Sequence, residues 1–161
     1  MTQPPAATNP PPDTPGGAPF TVRLGTWDVL KADASPVRVA VFVEEQRIPM
    51  EMEWDEADAT AVHAVAHDAS GRAIGTGRLL ALAPGVARIG RMAVRAEWRG
   101  AGVGRALLLA LLQSARERGD REAVLSAQRS AEAFYLREGF VARGEPYDEV
   151  GIPHIDMVRG L

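Results

Sequence analysis

The residues best placed to do chemistry are the run Arg99-Gly100-Ala101-Gly102-Val103-Gly104. It lies between a strand-like run, Ala87 to Val94, and a long apolar helix pattern, Arg105 to Arg118. Alternate glycines let the backbone turn sharply with no Cβ in the way, so successive N–H groups can point into one concavity at a helix start. Unpaired amides and the positive end of the helix dipole favour a phosphate there. The run therefore predicts a pyrophosphate site for a nucleotide-like cofactor. A Walker loop would end in Gly-Lys-Ser/Thr, but Arg105 follows Gly104 and the only lysine, Lys31, is distant. A dinucleotide fingerprint needs G-x-G-x-x-G after the first strand of a parallel unit; this loop reads G-x-G-x-G and three strands precede it.

The elements that must position this loop follow from patterning. Met1 to Pro19 holds seven of the twelve prolines and almost no bulky apolar residues, which predicts a disordered tail carrying one Pro12-Asp-Thr-Pro15 motif. A single domain is expected over residues 20–161, and 161 residues suffice for a real core. Phe20 to Trp27 alternates as a first strand. Ser35 with Pro36 predicts the start of a helix that reaches Gln46 and stops at Pro49, followed by an acidic loop from Met50 to Ala59. Ala61–Asp68, Ala73–Ala83 and Val86–Val94 read as a three-stranded meander. After the loop and its helix come a buried strand at Glu122–Gln128 and a short helix from Ser130 to Glu138. Strands at Phe140–Arg143 and His154–Val158 finish the chain. The order is mixed α/β (α+β), a layered fold without regular alternation.

Composition narrows the function classes. A net charge of −3 carries no nucleic-acid footprint, and no apolar run reaches the roughly 20 residues of a membrane helix. With no cysteine, disulfides, thiolate catalysis and zinc–cysteine sites are excluded. The start lacks a basic stretch followed by an apolar one, so a cytoplasmic protein is expected.

Arg99-x-x-Gly102-x-Gly104 resembles the R/Q-x-x-G-x-G/A signature of the GNAT superfamily of acetyl-CoA-dependent N-acyltransferases. Arg88-Ile-Gly-Arg-Met-Ala-Val94 is similar to that family's fourth strand, and Ala131-Glu-Ala-Phe-Tyr135-Leu-Arg-Glu-Gly139-Phe140 to its A-x-x-F-Y-x-x-x-G-F segment. Val41-Phe-Val-Glu-Glu-Gln46 and Gly151-Ile-Pro-His154 resemble a group of small bacterial acetyltransferases. The resemblance implies a mostly antiparallel central sheet flanked by helices, and acetyl-CoA as co-substrate without a metal. The acceptor it implies is a small-molecule or peptide amine, and it leaves a homodimer open. It also implies that Arg99, Gly100, Ala101, Gly102, Val103 and Gly104 hold the pyrophosphate, and that Met92, Ala93 and Val94 pair with the pantetheine arm. A backbone N–H, that of Met92, would polarise the acetyl carbonyl, and Tyr135 would be the general acid. Gln128 stands where many relatives have Asn, and it can offer its amide to the pantetheine from a longer arm. The fourth strand carries Arg88 and Arg91 where many relatives have a Glu base. An acyl-homoserine-lactone-synthase-like enzyme and a non-catalytic acetyl-CoA-binding module are the alternative readings.

The acceptor side must be read from elsewhere. Seven acidic residues between Glu44 and Asp58 surround one basic residue, Arg47. Most read as a solvated face, and a few could draw in a cationic amine. The candidates for the base are Glu45, the first choice, and Asp55, Asp58, His63 and His154, the last four being also the candidates for binding the acceptor. His63 and His67 lie four apart on a strand, a spacing that does not make the zinc site it makes on a helix. His154 is either a structural hydrogen-bonder or a substrate contact.

Overall fold

A computed structural model describes residues 19–161, so the tail expected over Met1–Pro19 lies outside the described residues but for Pro19. Seven strands form one sheet: β1 (Phe20–Gly25), β2 (Val62–Asp68), β3 (Ala73–Ala83), β4 (Val86–Val94), β5 (Glu122–Gln128), β6 (Val141–Glu149) and β7 (Ile152–Gly160). Their order is β1-β2-β3-β4-β5-β7-β6, antiparallel throughout except for β4 beside β5.

Helices cover both faces. On one, α3 (Val103–Glu117) lays Leu107, Leu108, Leu111, Leu112 and Ala115 onto Ile74, Leu79, Ile89 and Leu125. This close approach depends on Gly75, where a Cβ would lie 2.9 Å from both Leu107 and Val103. On the other face, α1 (Trp27–Arg38) buries Leu30, Ala34 and Val37 against Val65 and Ala93. The helix expected from Ser35 therefore begins eight residues earlier, at Trp27, with Pro36 inside it. Apolar residues at 30, 34, 37 and 41 make one continuous stripe, and burying it outweighs the start signal of Ser35-Pro36. Beyond α1 the chain widens into a π-helical segment, Val39–Glu45. The acidic stretch is not a plain loop but two single turns, α2 (Met50–Glu53) and a 3₁₀ turn at Glu56–Ala59. A 3₁₀ turn at Arg129–Ala131 leads into α4 (Glu132–Arg137), which supplies Tyr135. The last two strands are longer than their patterns suggest and form a hairpin turning at Val150-Gly151.

Candidate active site

The site originates in a broken pairing. β4 and β5 run together only through Val86↔Glu122, Ala87↔Ala123 and Arg88↔Val124. Beyond Arg88 the two strands part, leaving one edge of Ile89–Val94 and the facing edge of Leu125–Gln128 without a strand partner. A cleft of ≈ 1330 Å³ opens there, bordered by Gly90–Val94, Ser126, Gln128, Phe134, Tyr135 and the glycine loop. Its other flank is Phe42, Glu45, Gln46 and Met52 on one side and Glu149, Val150 and His154 on the other.

Inside this opening β4 carries a bulge. Thr76 pairs with Ala93 and Arg78 with Gly90, so Arg91 and Met92 together oppose Gly77. Arg91 sits in the left-handed region at φ 52°. The bulge takes Arg91 and Met92 out of the regular β3 ladder, and both residues line the cleft.

Beyond β4 and a 3₁₀ turn at Ala96–Trp98, Gly100 and Gly102 have φ of 84° and 85°, in the left-handed region that glycine enters without a Cβ clash. Gly104 is different, lying in the first turn of α3 with ordinary helical backbone. Among the described residues, the N–H groups of Gly102, Val103, Gly104 and Arg105 donate to no protein acceptor; the first bond of the helix runs from Ala106 to the Gly102 carbonyl, 3.0 Å. Four amides at the N-terminus of a fifteen-residue helix make an anion-binding cradle. Arg99 flanks it, donating to the Val94 carbonyl (3.1 Å) and to Glu45 (2.7 Å).

Tyr135 is buried in the cleft wall, edge-on to Phe134 and Phe140. Burial pushes its phenol up to about 12, so the hydroxyl stays protonated at any ordinary pH. Gln128 donates to Gln46 Oε1 at 2.8 Å, so these two amides meet across the cleft.

The acidic stretch resolves into a charge-paired cluster. Arg38, wholly buried, bonds Glu53, the Asp58 carboxylate (2.8 and 3.1 Å) and the Glu53 carbonyl (2.9 Å). Arg78 bonds Asp55 (2.6 and 2.8 Å) and Asp58 (2.9 Å), and Arg91 reaches Asp55 at 3.3 Å. Trp27 and Trp54 flank the Arg38 guanidinium at 5.2 and 5.0 Å. The hydrogen bonds of Arg78 hold Asp55 down to about 2. Burial pushes Asp58 up, but the hydrogen bonds and charges of Arg38 and Arg78 outweigh it and hold it below the usual carboxylate range.

The expected acceptor residues thus divide. Asp58 and His63 are buried; His63 bonds the Asp58 carbonyl at 2.9 Å and packs on Trp27 at 4.7 Å, and burial pushes its imidazole down. Neither is open to a substrate. Asp55 and Glu45 border the cleft and are paired with Arg78 and Arg99, while Glu44, Glu51 and Glu56 are exposed and make no ion pair among the described residues. His154 lines the cleft. The three guanidinium partners of the acids carry no sequence signal beyond arginines placed in apolar strand and helix patterns.

The model of the GNAT acetyltransferase domain matches residues 30–161. The uncharacterized N-acetyltransferase YjcF of Bacillus subtilis (strain 168) is 35% identical over 128 residues, 79% of this chain and 90% of that protein. A crystal structure of an acyl-CoA N-acyltransferase from Pseudomonas aeruginosa superposes with a TM-score of 0.77 at 34% identity, covering 87% of this chain and 99% of that one. Escherichia coli ElaA superposes with a TM-score of 0.78 at 28% identity, covering 87% and 99%. With the parted strands, the amide cradle and the buried tyrosine on one cleft, the chain belongs to the GNAT acetyltransferase family and is an acyltransferase.

Proposed function

We propose that this enzyme moves an acetyl group from acetyl-CoA directly to a primary amine. The observation that carries the reading is the parting of β4 from β5 above four unpaired amides. A slot between two free strand edges suits an extended pantetheine arm, and the cradle at its end suits the pyrophosphate. In this reading Arg99 and Gly100 to Gly104 take the pyrophosphate, and Met92, Ala93 and Val94 bond the arm. Gln128 turns from Gln46 to the arm when it enters.

The Met92 N–H, on the bulge, is the donor that stabilises the oxyanion as the amine adds to the thioester carbon; a fixed donor of this kind is worth about 10²–10³ in rate. The C–N bond forms, the C–S bond breaks with its electron pair on sulfur, and the sulfur takes the Tyr135 proton, which solvent replaces. Glu45 acts through Arg99, holding the guanidinium beside the loop.

The test is CoA-thiol release from acetyl-CoA across a panel of amines, with longer acyl-CoAs in parallel. Turnover with at least one amine is expected. Tyr135→Phe should lower kcat by about 10²–10⁴ and leave the acetyl-CoA Kd within about twofold. Acetyl-CoA binding with no thiol release for any amine would make the protein a binding module and overturn the proposal.

A further inference from the structure

The transfer needs a group to take the proton from the attacking nitrogen, and β4 offers arginines where a carboxylate base would serve. We propose that His154 is this base, with Glu149 stabilising the imidazolium it becomes; the inference rests on the transferase reading above. His154 Nδ1 lies 2.7 Å from the Ile152 carbonyl oxygen. A carbonyl only accepts, so Nδ1 carries the hydrogen and Nε2 keeps its lone pair. That lone pair is the free end of the ring: Nε2 lies 3.7 Å from Glu149 Oε2, beyond hydrogen-bond reach. The gap sits on the wall of the cleft, which both residues line.

The ring is held for the task. Tyr147 stacks on it at 6.0 Å and 21°, and the Tyr147 hydroxyl is itself fixed, donating to Asp156 at 2.7 Å and meeting the Ser126 hydroxyl. Gln128 pairs with His154 in the sheet, and His154 with Tyr147. Gln128 and His154 line the cleft that Met92 borders from β4, so the oxyanion donor and the base stand on opposite sides of one opening. Glu149 is 57% exposed while the imidazole is 10% exposed. An alkylammonium arriving from solvent meets the carboxylate first and loses a proton to Nε2. The imidazolium, now beside an anion, returns that proton to solvent; the neutral amine adds to the thioester, and Nε2 takes the second proton, which the nitrogen sheds as the amide forms. The acceptor class that fits is a cationic aliphatic amine.

The experiment uses the full chain and an amine that the panel identifies. His154→Ala should lower kcat by about 10²–10⁴ with the KM for acetyl-CoA within about twofold, and added imidazole should restore turnover with saturation. A merely structural histidine gains nothing from imidazole. Glu149→Gln, at an exposed position, should lower kcat severalfold with an unchanged Tm. Full activity in His154→Ala, or lost activity that imidazole leaves untouched in a variant with wild-type Tm, overturns the inference while wild-type turnover keeps the transferase reading. Should His154→Ala not fold, wild-type kinetics in Glu149→Gln overturn it instead. Absence of wild-type turnover with every amine overturns the transferase reading itself.

Discussion

Asp58→Asn isolates what holds the acceptor side of the cleft together. Asp58 is 4% exposed and accepts three hydrogen bonds, two from Arg38 and one from Arg78. The asparagine amide keeps one acceptor and turns an N–H₂ toward a guanidinium, donor against donor, with the counter-charge gone. Arg38 still has Glu53, and Arg78 still has Asp55, but the cluster of three arginines and three acids loses its balance. Removing one partner from a buried pair costs about 3–5 kcal/mol. For a domain of this size that lowers the Tm by roughly 10 °C or more. Asp55 provides the internal comparison. Its carboxylate meets the same Arg78 at shorter distances but is 40% exposed, so solvent screens the pair and Asp55→Asn should cost less than about 1 kcal/mol. Thermal unfolding of both variants, followed by acceptor and acetyl-CoA KM, is the assay. Equal Tm losses, or a larger loss at Asp55, would refute the view that burial and not distance sets the value of these pairs.

The pH dependence of stability should fall in two stages. His63 is held below its ordinary 6.5 in the fold by burial, so the unfolded chain binds the proton more readily and stability drops as pH falls through 6.5; His63→Asn should flatten this stage in a Tm-against-pH series. Asp55 and Asp58 are held below 3.8, so their contribution is complete above that value and disappears as pH falls toward about 2. The glycines of the cradle should separate by conformation. Gly102→Ala forces a Cβ residue to φ 85° and should cost about 1–2 kcal/mol along with acetyl-CoA affinity. Gly104→Ala, whose Cβ would meet Phe134 and Val94 at an ordinary 3.7 Å, should be as stable as wild type or more so. The reverse order in thermal shift would mean that the loop does not have this backbone.

The strands, the cleft loop and its helix were legible because their information is local. Period-two alternation places β1, the turn signals at Asp68–Gly71 and Pro84-Gly85 bound β2 to β4, and the spacing of Leu107, Leu108, Leu111 and Leu112 places α3. The start of α1 was not legible, since Ser35-Pro36 has the chemistry of a helix start and only the sheet decides that Leu30 and Ala34 must also be buried. The pairing within the acidic stretch was not legible for a related reason. Its charges are visible in sequence, but the partners of Glu53, Asp55 and Asp58 are 15 to 38 residues away. Pairing at such separations is a property of the folded chain, and it makes these three acids a brace for the arginines beside them. The tautomer of His154 depends on the Ile152 carbonyl only two residues away, yet no pattern of residue types encodes which way that carbonyl points.

Arg91 joins the two halves of the site. Its backbone, at φ 52°, makes the bulge that swings Met92 off the β3 ladder. Its guanidinium donates to the Glu53 carbonyl and to Asp55, both at 3.3 Å, in the segment that borders the acceptor flank. A non-glycine residue in the left-handed region costs roughly 1–2 kcal/mol, and such strain persists only where neighbouring contacts over-determine it. Here those contacts are the carboxylates that Arg38 and Arg78 fix in turn. The same charges therefore hold the bulged strand geometry on which the proposed donor, the Met92 N–H, depends. Under the proposed mechanism the two roles separate: the acids shape β4, and the base stands on β7 across the slot.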